Sequence, residues 1–471
     1  MLRRATIAWL GLLLLSSCSG PAPSGAGIPS AVTQPLLSAS AAGSSGSRPT
    51  SSPVAPASSD WPVYHRDPAR TGNDQAFPAF DGSLARAWST SLDGAVYAEP
   101  LVVRGRLIAA TEGDTVYALD PASGRVSWQR NLGNPVPLAS LPCGNIDPLG
   151  ITGTPAFDPA SGSLFVVVEV TGPRHVLFAL DAADGSVRWS RGIDLPLDDP
   201  ATHQQRAALA IGNGYVYVGM GGLYGDCGQY AGELIGVPTS GVGPTISYRV
   251  PVAREGAIWA TAGPVLDGQG TVYVSTGNGS STSTYDGSDS VLALSPQLAP
   301  QSRFAPATWA QDNAADLDLG SLSPVLVPGG WVFIVGKSGI GYVLHEGALG
   351  GIGGEVASAP VCPAFGGAAQ SGATLYVPCT SGLAQVQVSA SGSIRVGWQT
   401  ASGANGPPVV GGGAVWSIDL ARGELFALAP STGQPLAQLA VGPVPHFASP
   451  TLWNGQVFVG TDSGVTAIDT R

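Results

Sequence analysis

The residues with the most chemical content lie between Tyr224 and His345. This stretch reads YGDCGQYAGE, then GAIWATAGPVLDGQGTVYVSTGNGSS, then DNAADLDLGSLSPVLV, then VGKSGIGYVLH. Lys337 is the single lysine among 21 Lys and Arg residues. A compact ammonium in a chain that otherwise uses guanidinium marks a place where a point cation matters. Asp312, Asp316 and Asp318 stand just upstream. As hard oxygen donors they suit Ca²⁺, although an aspartate in a turn commonly just caps it.

Other chemistries fail on spacing. Gly336-Lys337-Ser338 looks like the end of a phosphate loop, but Trp331 stands where the first glycine is needed and a strand, not a helix, follows. There is no GxSxG nucleophile elbow. His65, His175, His203, His345 and His446 are scattered without metal spacing, and each is expected at the surface or in a turn. No CxxCH or CxxC occurs. The net charge is −11, with no basic run beyond Arg3-Arg4, so the footprint that nucleic acid requires is missing.

The elements that must position these residues repeat. Ala98 to Gly133 holds a Pro-led apolar run (Pro100 to Val103), a turn at Arg104-Gly105, and apolar strands at 107–111 and 115–119. The turn Asp120-Pro121-Ala122-Ser123-Gly124 and a last strand with Trp128 complete the unit. Period-two alternation between Gly, Asp and Pro punctuation predicts an antiparallel meander. A second copy ends HVLFALDAADGSVRW, with Asp181, Gly185 and Trp189. Further third strands are expected at 233–237, 290–295, 341–345, 383–388, 424–429 and 464–469, making eight. The outer strands carry Trp128, Trp189, Tyr248, Phe304 and Trp398, with weaker candidates near Val356 and Leu439. The last copy has no outer strand, and Leu84 to Trp88 is an unused strand of the right kind. Eight four-stranded repeats closed by that N-terminal strand predict an all-β, eight-bladed β-propeller.

The N-terminus reads as a targeting segment. Arg3-Arg4 precede the apolar core Ala5 to Leu15, too short for a stable membrane span, and the segment ends Leu15-Ser16-Ser17-Cys18. Small residues before a cysteine resemble the lipobox of bacterial lipoproteins, which implies a signal peptide over 1–18 and lipidation of Cys18. Residues 19–59 are rich in Ser, Ala, Gly and Pro and nearly uncharged, so they read as a linker before the propeller of 60–471. Cys143, Cys227, Cys362 and Cys379 remain. An even number in an exported chain favours two disulfides. The expected pairs are Cys362–Cys379, in neighbouring strands of one repeat, and Cys143–Cys227, with the other connectivities open.

The ALDPASGRVSW-type repeat and the opening Asp60-Trp61-Pro62…Asp67-Pro68-Ala69-Arg70-Thr71-Gly72 resemble those of pyrroloquinoline quinone (PQQ) repeat proteins, from about Asp60 to the end. That family includes quinoprotein alcohol dehydrogenases, which hold PQQ and Ca²⁺ at one end of the channel, and non-catalytic envelope lipoproteins. The resemblance implies roles residue by residue. Trp259, 19 residues before Asn278, matches the tryptophan under the quinone plane. Asn278 matches a calcium ligand, and Asp226 lies near a second, there a glutamate. Lys337 matches the cation on the quinone oxygens, and Asp316 approximates the general base, with Asp312 and Asp318 as alternatives. The chain departs from the enzymes at Cys143, which is single where they have adjacent cysteines, and after Asn278, where Gly-Ser-Ser-Thr-Ser-Thr follows.

The reading that results is an exported, lipid-anchored propeller on the outer face of the cytoplasmic membrane or elsewhere in the envelope. It is expected to be a monomer that binds or scaffolds a protein partner. The alternative is a PQQ- and Ca²⁺-dependent dehydrogenase of alcohols or sugars.

Overall fold

The computed structural model describes residues 60–400 and 402–471, all within one compact unit spanning 53–471. The expected signal segment 1–18, Cys18 and the linker 19–59 lie outside the described residues. No helix among the described residues is long and apolar enough to cross a membrane.

Among the described residues, eight mainly antiparallel sheets form the ring. Their first strands begin at Leu101, Ala156, Ala210, Val265, Val325, Ala369, Val409 and Thr451. Blades one to seven each have four antiparallel strands, as blade one has in Leu101–Val103, Arg106–Ala110, Thr115–Leu119 and Val126–Asn131. Only in blade five is the run interrupted, by Gly351–Ile352, which pairs parallel with the outer strand of blade four. The eighth has three, and Ala85–Ser91 completes it by pairing antiparallel with Gly464–Asp469. Closure by the N-terminal strand is therefore as the repeat count expects. The inner strand of blade one, Leu101–Val103, is buried throughout, while an outer strand such as Ile394–Gln399 alternates half-buried and exposed residues. That contrast is what one core face and one solvent face produce.

The repeated Gly and Trp have one joint purpose. In the turn before the outer strand of blade one, Gly124 has φ +68°, and an added Cβ there would come within 2.5 Å of the Trp88 ring of the preceding blade. Trp88 Nε1 donates to Pro121 O of that same turn at 2.8 Å. The device recurs where Gly185 meets Trp128, Gly241 meets Trp189 and Gly433 meets Trp398. Each outer-strand tryptophan thus lies flat on the next blade's turn, and only glycine permits both the backbone conformation and the close approach.

Two faces result. One, the loop face, carries the loops between second and third strands and the connections between blades. The other, the turn face, carries the tight turns. Residues 61–80 enter the channel on the turn-face side. Trp61 pairs with Val102, Phe157 N donates to Pro62 O, Leu266 N to Pro68 O, Gln370 N to Thr71 O and Val410 N to Gly72 O, so the segment touches the inner strands of five blades. Arg70, 3% exposed, donates to the carbonyls of Tyr64, Leu209 and Pro264. Glu99 accepts from Trp61 Nε1 at 3.1 Å and His65 N at 2.7 Å.

Two expectations need correction. His175 and His203 are buried in strands rather than at the surface or in a turn, and His65, which does lie in a turn, is buried as well. His65 lies in the segment that enters the channel, and His175 lies between Asp194 (2.7 Å) and its cross-strand neighbour Glu169 (3.2 Å). The disulfides are Cys143–Cys227 and Cys362–Cys379. However, Cys362 lies in the connection past Ala357–Pro360, and only Cys379 ends a strand, so this bond ties a blade-to-blade connection to the next blade.

Candidate functional site at the loop-face mouth of the channel

Asn278 follows the second strand of blade four (Val272–Ser275), and Lys337 follows that of blade five (Trp331–Val335). Trp259 lies in the connection between blades three and four. All three are on the loop face. Backbone bonds fix the segment that carries the tryptophan: Ile258 N donates to Met220 O, Gly277 N to Ala257 O, and Gly256 N to Asn278 O.

Asp318 joins the other residues. Its Oδ1 accepts from Asn278 N at 2.5 Å, and its Oδ2 lies 2.5 Å from Lys337 Nζ. Its backbone carbonyl also accepts from Lys337 N at 2.8 Å. Gly277 lies between the Asp318 carboxylate and Trp259 Nε1, where a Cβ would come 2.4 Å from the first and 3.3 Å from the second. Lys337 Nζ also reaches Asp316 Oδ1 at 2.8 Å, but that carboxylate is 69% exposed whereas Asp318 is 5% exposed. Of the three aspartates, Asp318 is the one beside both Asn278 and Trp259. Asp312 instead accepts from Thr308 Oγ1 within its own short helix.

Electrostatics follow from burial. Burial disfavours the Lys337 ammonium, but Asp318 and Asp316 outweigh it and hold its pKa above the ordinary lysine value. Burial pushes Asp318 upward, opposed by Lys337. Asp289, fully buried beside them, is pushed up to about 8 by burial, against the Leu319 N–H that it accepts. Asp226 accepts from the Tyr230 hydroxyl. Glu255 is raised by burial first, then by Asp226, Asp318 and Asp316, against Arg254, which puts these acids in one electrostatic neighbourhood.

Sequence reading missed the other half of the mouth. Phe365 and Phe447, from connections after blades five and seven, lie with their ring centroids 6.3 and 6.2 Å from that of Trp259 and 6.0 Å from each other. Arg206, 8% exposed, lies over both Tyr97 (5.2 Å) and Phe447 (5.1 Å) and donates to His446 O. These residues are far apart in the chain, so no local pattern groups them. A cleft of 650 Å³ lies on the opposite, turn face, between Asp67, Leu266, Gly330 and Gln370, and includes none of these side chains.

Residues 45–222 match a family model described as "Outer membrane protein assembly factor BamB". A polyvinylalcohol dehydrogenase of Sphingopyxis sp. (strain 113P3) is 25% identical over 276 residues, a match spanning 52% of this chain and 39% of that protein's length. The chain is thus similar to PQQ-repeat proteins over part of its length. Among solved structures, the quinohemoprotein alcohol dehydrogenase of Comamonas testosteroni superposes with TM-score 0.67 at 17% identity, covering 87% of this chain and 80% of that one. A europium-containing methanol dehydrogenase gives 0.68 at 17%, covering 87% and 91%. BamB of Moraxella catarrhalis gives 0.58 at 17%, covering 82% and 99%. The PQQ-repeat fold is thus shared by dehydrogenases and by a protein named for assembly, and fold alone does not choose between them.

Proposed function

We propose that this chain is a binding or scaffolding propeller of the cell envelope, exported, held to a membrane through lipidated Cys18, and engaging a protein partner with its loop face. The observation that carries this reading is the meeting of Trp259, Phe365 and Phe447 from three separate connections at the channel mouth, with Arg206 between Tyr97 and Phe447. Half-buried aromatic rings around an arginine have the composition that concentrates binding energy at protein interfaces. Two disulfides suit an oxidising compartment.

A second reading, a PQQ- and Ca²⁺-dependent dehydrogenase of alcohols or sugars, is favoured by one observation: Lys337, Asp318 and Asn278 meet beside Trp259. There Lys337 would hold the quinone oxygens, and Asp318 rather than Asp316 would take the hydroxyl proton. The fit is poor. Two phenyl rings border the indole on which the quinone would rest, and Lys337 is held by two carboxylates. Asp226 is turned to Tyr230. No trio of His, Cys, Asp or Glu ligand atoms converges here among the described residues.

The test is a photo-crosslinking amino acid placed at Phe447 and, separately, at Gly268 on the turn face, in living cells. A discrete protein adduct from position 447 and none from 268 supports docking on the loop face. Equal labelling at both positions, or none at 447, counts against it.

A further inference from the structure

Outside the channel mouth, blade three brings together one imidazole and two carboxylates that the reading above does not use. Asp198 lies in the connection after blade two, His203 begins the two-residue strand His203–Gln204, and Glu233 begins the third strand of blade three. His203 pairs with Gly222, and Glu233 with Met220, so one strand positions both. Potential ligand atoms of the three residues all lie within 4.8 Å of one another.

His203 gives the cluster its direction. It is 2% exposed; its Nδ1 is 3.1 Å from Asp199 O, and its Nε2 has no hydrogen-bond partner. A backbone carbonyl on Nδ1 fixes the proton there and leaves the Nε2 lone pair free, the tautomer that a metal-ligating histidine uses. An unpartnered buried nitrogen is costly in a structural cluster and is expected in a ligand. Asp198 is oriented in the same way, its Oδ2 accepting from Leu195 N at 3.1 Å.

We propose that Asp198, His203 and Glu233 form a binding site for a divalent transition ion of the Zn²⁺ class. One imidazole and two carboxylates are a donor set that such ions accept, with a fourth position left for water. Tetrahedral Zn²⁺ needs ligand atoms about 3.3–3.5 Å apart, so atoms now within 4.8 Å of one another close by at most about 1.4 Å. Arg249 is the competitor: its guanidinium lies 2.7 Å from Asp198 Oδ1 and also contacts Glu233. The Arg249 side chain is 41% exposed while the carboxylates are 4% and 1% exposed, so it has solvent to swing into and they do not. Ion and arginine are alternative counter-charges for one acidic pair.

That competition gives the test opposite signs. In the full chain, titrated with Zn²⁺ in a competitive chelator assay, the wild type binds one ion. Arg249→Gln binds it at least about tenfold more tightly, because a cation no longer opposes it. His203→Ala loses roughly a hundredfold or more, beyond the 10–100-fold typical of a second-shell partner. Thermal melts give an independent readout: Arg249→Gln melts lower than wild type without metal, and Zn²⁺ restores it, but not when His203→Ala is added. Co²⁺ in place of Zn²⁺ should give the visible absorption of a low-coordinate site. The proposal is overturned if the wild type and Arg249→Gln bind no ion, or if binding and rescue survive the loss of His203.

Discussion

The two ends of the channel are built from different materials. At the turn-face end, residues 61–80 enter and bond to the inner strands of five blades, with Arg70 giving its guanidinium to three carbonyls and Glu99 taking two N–H groups. Tyr64, His65 and Arg70 there are buried. At the loop-face end, Trp259, Phe365 and Phe447 remain half-buried, and Lys337 is shared between buried Asp318 and exposed Asp316. One end is made to be closed and the other to be touched. Composition alone does not separate them, since both contain arginine, aromatics and acids; what separates them is how far their polar atoms are committed to backbone.

The largest effect expected from this contrast is at the closed end. Arg70→Ala removes three charge-assisted hydrogen bonds and leaves buried carbonyls unpaired, which should cost about 3–5 kcal/mol in denaturant unfolding. A loss below about 1 kcal/mol would mean that the segment is peripheral to the ring.

The pH profile comes next. Glu99 is pushed up to about 8 by burial, so the native state binds a proton that the unfolded chain releases near pH 4, and stability falls as pH rises through 8. His65 is pushed down to about 3 by burial and by Arg70, so its contribution is complete above the usual value of 6.5 and is lost as pH falls toward 3. Calorimetric melts at constant ionic strength should therefore show highest stability in weak acid and a decline that is complete just above pH 8. Glu99→Gln, which keeps an acceptor, should reduce this decline in part, because Asp289 is also pushed up to about 8 by burial; an unchanged decline would remove Glu99 as a source.

The smallest stability effect belongs to the mouth. Phe447→Ala, a half-buried ring in a connection, should change unfolding by no more than about 1 kcal/mol while abolishing partner capture in cells. A destabilisation as large as that of Arg70→Ala would make the aromatic trio a second plug and end the contrast.

The ring was legible in the sequence because its signals are local. Asp181, Gly185 and Trp189 recur at fixed offsets, and the unused strand at Trp88 showed where the ring closes. The mouth was legible in part. Lys337 stood out as the single lysine and Asn278 and Trp259 through resemblance, but Asp316 and Asp318 lie two residues apart and only burial distinguishes them. The plug was not legible. Arg70 bonds to Leu209 and Pro264, 139 and 194 residues away, and its stretch DPARTG looks locally like a turn. The buried histidines escaped because their burial is set by packing: His65 N donates to Glu99, 34 residues away, and His175 meets Glu169 and Asp194 only once blade two is folded.

The most direct test of the central claim is calorimetric titration of the protein with PQQ, with and without Ca²⁺, beside Lys337→Ala. A docking face with its lysine neutralised by Asp316 and Asp318 predicts no saturable, calcium-dependent heat in either protein. Calcium-dependent binding in the wild type that disappears in Lys337→Ala would contradict the account and make the mouth a cofactor site.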